Sequence, residues 1–121
     1  MRTCIVTVFL LLFSFMVAFA GEADVIKVEV IKLGEDTYQF DVTVSHNDEG
    51  WNHYVNKWDV VGSDGMVYGT RTLYHPHVDE QPFTRSLSGV RIPKEISRVT
   101  VRAHDSVHAY GGKVVELVLP R

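Results

Sequence analysis

The sequence predicts an all-β domain built as a sandwich of two sheets, and three observations point there. Residues 21–121 hold 17 Val against 5 Leu and 3 Ala; β-branched side chains suit pleated strands, whereas Leu and Ala suit helices. Apolar and polar residues alternate with a period of two, the spacing of half-buried strands. Polar, Gly- or Pro-bearing stretches cut this alternation into seven short runs.

The first predicted strand has Ile26, Val28 and Val30 alternating with Lys27, Glu29 and Ile31. Gly34-Glu35-Asp36 is a turn. Tyr38, Phe40, Val42 and Val44 then alternate with Gln39, Asp41, Thr43 and Ser45. After the polar stretch His46–Asn52, a third strand spans Tyr54 to Val61, with Trp58 and Val60 on one face. Gly62-Ser63-Asp64-Gly65 is a hairpin turn into a fourth strand, Met66 to His75. Pro76 and Pro82 bracket a second polar loop, because proline cannot donate to a ladder. The fifth strand covers Phe83 to Leu87, with Ile92 as the alternative end, and Gly89 to Ser97, with Pro93, crosses over. The sixth places Val99, Val101 and Ala103 inward and Arg98, Thr100, Arg102 and His104 outward. A third polar loop, Asp105–Gly112, leads to the seventh strand, Lys113 to Leu119. Seven short strands at regular spacing are the pattern of an immunoglobulin-like sandwich. The expected core includes Phe40, Val42, Trp58, Leu87, Val99, Val101 and Leu117.

Two resemblances accompany this pattern. Leu87, Ile92-Pro93, the alternating Val99, Val101 and Ala103, and Gly111-Gly112 resemble the second half of a fibronectin type III domain. Ser97 stands where that family carries an aromatic residue before its sixth strand, so the family's tyrosine contact does not carry over. Longer runs lie in Trp51…Tyr54…Trp58-Asp59-Val60, Arg71…Leu73…His75-Pro76-His77, Glu80 to Leu87 and His104 to His108. These are similar to an uncharacterised family of small exported proteobacterial proteins. That resemblance implies a bacterial periplasmic or secreted location and no particular activity.

Residues 1–20 read as a signal peptide and 21–121 as one domain. Arg2 gives a positive start, Ile5 to Phe19 is apolar apart from Thr7 and Ser14, and Ala18-Phe19-Ala20 is a small-x-small cleavage site. The apolar run is shorter than the ~20 residues of a spanning helix, so no stable membrane anchor is expected after cleavage. Cys4 is the single cysteine and lies too early for a lipid anchor. The processed chain would hold no cysteine, which excludes a disulfide framework, a thiol catalyst and a Cys₄ zinc module.

Charge narrows the function classes. The chain has 12 Lys+Arg against 15 Asp+Glu and a formal charge of −3. Nucleic-acid binding requires a basic footprint, and none is present. Asp105-Ser106-Val107-His108 holds the residue types of a hydrolase triad, but a triad needs separate elements and an oxyanion hole. No Gly-x-Ser-x-Gly elbow occurs. The expectation is a protein that is not an enzyme.

The histidines carry the functional expectation. All six, His46, His53, His75, His77, His104 and His108, lie near the loops after strands two, four and six. If successive strands are antiparallel, these three loops share one pole of the sandwich. His75 and His77 are i, i+2 and project from one face in extended backbone. His104 and His108 are i, i+4 and meet if the loop takes a helical turn. Neutral imidazole suits Zn²⁺ and Cu²⁺, so these four are the expected ligands of a divalent metal. Asp105, Asp79 and Glu80 are candidate ligands or acceptors that fix a histidine tautomer. His46 and His53 fit the set least and read as solvated. Metal affinity of such a site falls below about pH 6, because imidazole must be neutral to bind.

The competing expectation is an interaction module for a protein partner in the periplasm. Trp51 and Tyr110 would be its anchors at the same pole, with Arg85 as a further contact. Arg85 alternates with Phe83 and Leu87 and so points inward. Either a carboxylate from Asp79, Glu80 or Asp105 meets it there, or a bulge turns it outward.

Overall fold

The computed structural model describes residues 21–121; the expected leader, with Cys4 and the cleavage signal, lies outside the described residues. The described residues form seven strands: β1 Asp24–Gly34, β2 Thr37–Ser45, β3 Val55–Gly62, β4 Val67–Thr72, β5 Phe83–Arg91, β6 Arg98–Asp105 and β7 Val115–Val118. They build two sheets, β1-β2-β5 and β4-β3-β6-β7. Every pairing is antiparallel. The fold is the expected all-β sandwich, and the fourth strand joins the sheet of the third.

The core forms where the inward residues of the two sheets meet. Tyr38, Phe40, Val42 and Val44 of β2 face Trp58, Val60, Val99 and Val101 of β3 and β6, and all are buried. The alternation along β2 and β6 is what sets this, since successive side chains of a strand leave opposite faces. Leu87 and Leu117, expected in the core, are half-buried and pack against its edge.

Three local departures from the simple alternation have visible causes. β1 has a register shift between Val25 and Lys27. The shift turns Val25 inward and leaves Ile26 half exposed, where the even period places Ile26 inside. β5 bulges opposite the Tyr38–Phe40 step, with Gly89 at φ 71°, a conformation that costs glycine nothing. The bulge brings Val90 into the core beyond Leu87. The fourth strand ends at Thr72, earlier than expected, and the chain leaves the sheet before Pro76.

Arg85 precedes the bulge and keeps the inward register of Phe83 and Leu87. It lies on β5, an edge strand, so its side chain is 27% exposed and escapes full burial. Nη2 donates to Glu80 at 3.0 Å, and the guanidinium lies 5.6 Å from the Phe83 ring centre. The arginine is therefore neither buried nor turned out: Glu80 supplies its carboxylate at the strand edge.

This topology delivers the loops β2–β3, β4–β5 and β6–β7 to one pole. Cross-loop bonds fix the arrangement. The Gln81 side-chain carbonyl accepts from His46 N at 2.9 Å, and Ser106 N donates to the Tyr54 carbonyl at 2.9 Å. Asp24 of β1 pairs with Ser45 of β2, so the segment before β1 lies at the same pole.

Candidate metal centre

Asp105, the last residue of β6, is the hub of this pole. Strand alternation points it inward, and its side chain is fully buried. Its Oδ1 accepts from the backbone N–H groups of Val107 at 2.7 Å and His108 at 2.5 Å. Its Oδ2 lies 3.2 Å from each of three imidazole nitrogens: His46 Nε2, His53 Nε2 and His108 Nδ1. Burial works against the carboxylate charge. The amides of His108 and Val107 and the rings of His108 and His53 outweigh that and hold its pKa down to about 2.

The outer nitrogens of two rings have carboxylates of their own. His46 Nδ1 is 2.5 Å from Asp48 Oδ1, and His53 Nδ1 is 3.0 Å from Glu49 Oε1. Their Nε2 atoms face Asp105 and also the Gly21 carbonyl oxygen, at 3.0 Å from His46 and 3.1 Å from His53. Among the described residues, every hydrogen-bond partner of these four nitrogens is thus an oxygen acceptor. A neutral imidazole carries one N–H, so each neutral ring would aim a lone pair at an oxygen. A cation between the Nε2 atoms and the oxygens relieves this. Burial works against charge on His53, yet the bonds to Glu49, Asp105 and Gly21 prevail and raise its pKa.

The ligand atoms of His46, His53 and Asp105 lie within 4.8 Å of one another, a spacing that one metal ion can span. His108 lies tilted beside His53 at 4.9 Å between ring centres, with its side chain 40% exposed. Asp48 and Glu49 occupy the positions from which carboxylates orient metal-bound histidines.

This set differs from the expected one. His46 and His53 read as solvated from sequence, but the His46 side chain is fully buried and that of His53 is 15% exposed. Asp48 causes this: its carboxylate draws His46 in and also accepts from Val55 N and His77 N. His104 does not join His108. The turn begins one residue later, at Asp105: Ala109 N donates to the Asp105 carbonyl at 3.0 Å and Asp105 N to the Ala109 carbonyl at 3.1 Å, with Ala109 at φ 59°, while His104 stays in β6. His104 faces the outer side of its sheet, where Nδ1 bonds Asn56 at 2.7 Å. His75 and His77 stand together at 4.8 Å. His75 is exposed, while His77 is buried, stacked on Phe83 at 4.1 Å, with neither ring nitrogen bonded among the described residues. Burial lowers the pKa of His77, with Arg85 and His75 adding to it. Asp79 and Glu80 are exposed and lie outside the cluster, with Glu80 committed to Arg85.

The two aromatic candidates part company. Trp51 is 66% exposed, with Tyr54 edge-on at 5.6 Å. Tyr110 is tied down: its hydroxyl donates to Asp59 Oδ2 at 2.5 Å, and Arg102 stacks on its ring at 4.0 Å. Asp59 also accepts from Thr70 and Arg102. Burial opposes its charge, but Tyr110, Thr70, Lys57 and Arg102 together lower its pKa. Such a group stabilises the fold above its unfolded pKa of about 3.9 and loses that contribution as pH falls through its folded value. Stability of the metal-free protein is expected to drop below about pH 4. In urea unfolding across the acid range, Asp59→Asn should show a shallower drop than wild type; an identical slope would remove Asp59 from this account.

Comparison with known proteins adds one likeness. The chain is similar to a "Putative lipoprotein" of Halomicrobium mukohataei. The two are 37% identical over 94 residues, which cover 78% of this chain and 46% of the relative. The chain thus spans about half the length of that protein. The relative comes from an archaeon, so the likeness is not confined to proteobacteria as the motifs suggested. No family model matches the chain, and no solved structure matches it.

Proposed function

We propose that this is an exported, non-catalytic protein that binds a divalent transition metal, Zn²⁺ or Cu²⁺, at His46, His53 and Asp105, with His108 as an accessory donor. One observation carries the reading: the Nε2 atoms of two histidines converge on oxygen acceptors while their Nδ1 atoms are held by Asp48 and Glu49. Imidazole and carboxylate together are a borderline-to-hard donor set that suits these ions. Export rests on the leader pattern and on the description of the archaeal relative. A lipid anchor is not carried over, because Gly21 and not cysteine follows the cleavage site. A site at a loop pole, with one histidine half exposed, suits buffering, sensing or delivery. The exposed Trp51 on the β2–β3 loop favours a protein partner that docks at this pole.

The test is thermal unfolding with and without Zn²⁺ or Cu²⁺, paired with elemental analysis of the exported protein. At a hundredfold excess over the dissociation constant, bound metal stabilises the fold by about 2.7 kcal/mol. His46→Ala/His53→Ala should lose this response, and His75→Ala/His104→Ala should keep it. A wild-type protein indifferent to both metals would leave the docking surface as the better account of the pole.

A further inference from the structure

Gly21 meets the His–Asp centre with its backbone. Its carbonyl oxygen is shared between His46 Nε2 and His53 Nε2. A Cβ on this residue would stand 2.5 Å from His108 Cε1 and 2.9 Å from its Nε2, so the chain passes closer to that ring than a side chain permits. The segment is also seated on its other side. Val25 N donates to the Lys113 carbonyl at 2.9 Å, and Lys113 N donates to Asp24 Oδ1 at 2.8 Å. A Cβ on Gly112 would fall 1.9 Å from the Ala23 carbonyl oxygen. Glycines on both sides therefore clear the path that brings residue 21 to the centre.

The peptide bond before Gly21 is the one that Ala18-Phe19-Ala20 marks for cleavage. Hydrolysis there by a signal peptidase, with water as co-reactant, leaves a carboxylate on Ala20 and an amine on Gly21. An amide nitrogen is a poor metal ligand; a primary amine is a nitrogen donor comparable to imidazole. The amine and carbonyl of one residue can close a five-membered chelate ring on one cation. We infer that the processed N-terminus is itself part of the metal site: the Gly21 amine and carbonyl complete the set of His46, His53 and Asp105, so that leader removal matures the centre. The inference rests on the metal-binding reading above.

The experiment compares the chain beginning at Gly21 with a chain that retains Ala20, whose amine lies one residue further out, about 3.8 Å along the backbone. Both keep all seven strands, and unfolding without metal checks that both fold. Zn²⁺ and Cu²⁺ affinities are measured by competition titration, and Cu²⁺ electron paramagnetic resonance is recorded with ¹⁵N-labelled glycine. The chain beginning at Gly21 should bind at least tenfold tighter, and its copper hyperfine pattern should change with the label. Equal affinities and no label effect would overturn the amine ligand while the His–Asp site stands. Absence of binding in both chains would overturn the site and the inference together.

Discussion

Trp58→Ala is expected to cost about 3–5 kcal/mol, the range for truncating a large buried aromatic. Trp58 is fully buried on β3 between the sheets, among Phe40, Val42, Val60 and Val101. Alanine there leaves a cavity that two hydrogen-bonded sheets cannot close. A domain of this size has roughly 5–15 kcal/mol of stability in total, so the variant should be only marginally folded. Trp58→Phe should cost less. It leaves a smaller void and removes an indole N–H that has no hydrogen-bond partner among the described residues. Urea unfolding of the three proteins checks the order; equal midpoints would place Trp58 outside the core.

The sandwich was legible because period-two alternation is a direct record of which face is buried. β2 and β6 follow it residue by residue. The misplaced residues sit where the register shifts. Ile26 and Val25 exchange faces at the β1 bulge, and a one-residue shift carries no mark where two apolar residues stand side by side. Gly89 reads as the start of the crossover, but its φ of 71° makes a bulge that carries β5 on to Arg91.

The pole was legible for the same reason, and the membership of its buried His–Asp cluster was not. Strand alternation already places His104 outward and its neighbour Asp105 inward, so a helical i, i+4 pairing of His104 with His108 competes with the strand. His77 is near the pole, but Phe83 offers its ring an apolar stacking surface, and the ring is buried there. The missed signal lies in His46-Asn47-Asp48-Glu49…His53. Two histidines, each with a carboxylate two to four residues away, can each have one ring nitrogen fixed and the other presented. Gly21 had no signal of its own beyond its place after the cleavage site, since its contribution is through backbone atoms.

Asp48 gives the second large expected effect, on binding and folding at once. Its Oδ1 accepts from His46 Nδ1 and from Val55 N, and its Oδ2 accepts from His77 N at 2.7 Å. One buried carboxylate thus joins the β2–β3 loop, the start of β3 and the β4–β5 loop. Asp48→Ala leaves three donors without their acceptor. Each unsatisfied buried group costs about 1–3 kcal/mol, so a loss of at least about 3 kcal/mol is expected. Asp48→Asn separates the two roles. Its amide oxygen can still accept from His46, but its NH₂ cannot accept from His77 N, so a smaller destabilisation, about 1–3 kcal/mol, remains. The neutral amide also polarises the His46 ring less, and loss of such a carboxylate partner lowers metal affinity by roughly 10–100-fold. Glu49→Gln is the control, because Glu49 is largely exposed and holds His53 alone. Metal titration of the folded Asp48→Asn protein decides between the roles: an unchanged affinity would make Asp48 a clamp between loops and nothing more, and a tenfold loss with only modest destabilisation would tie it to the metal through His46.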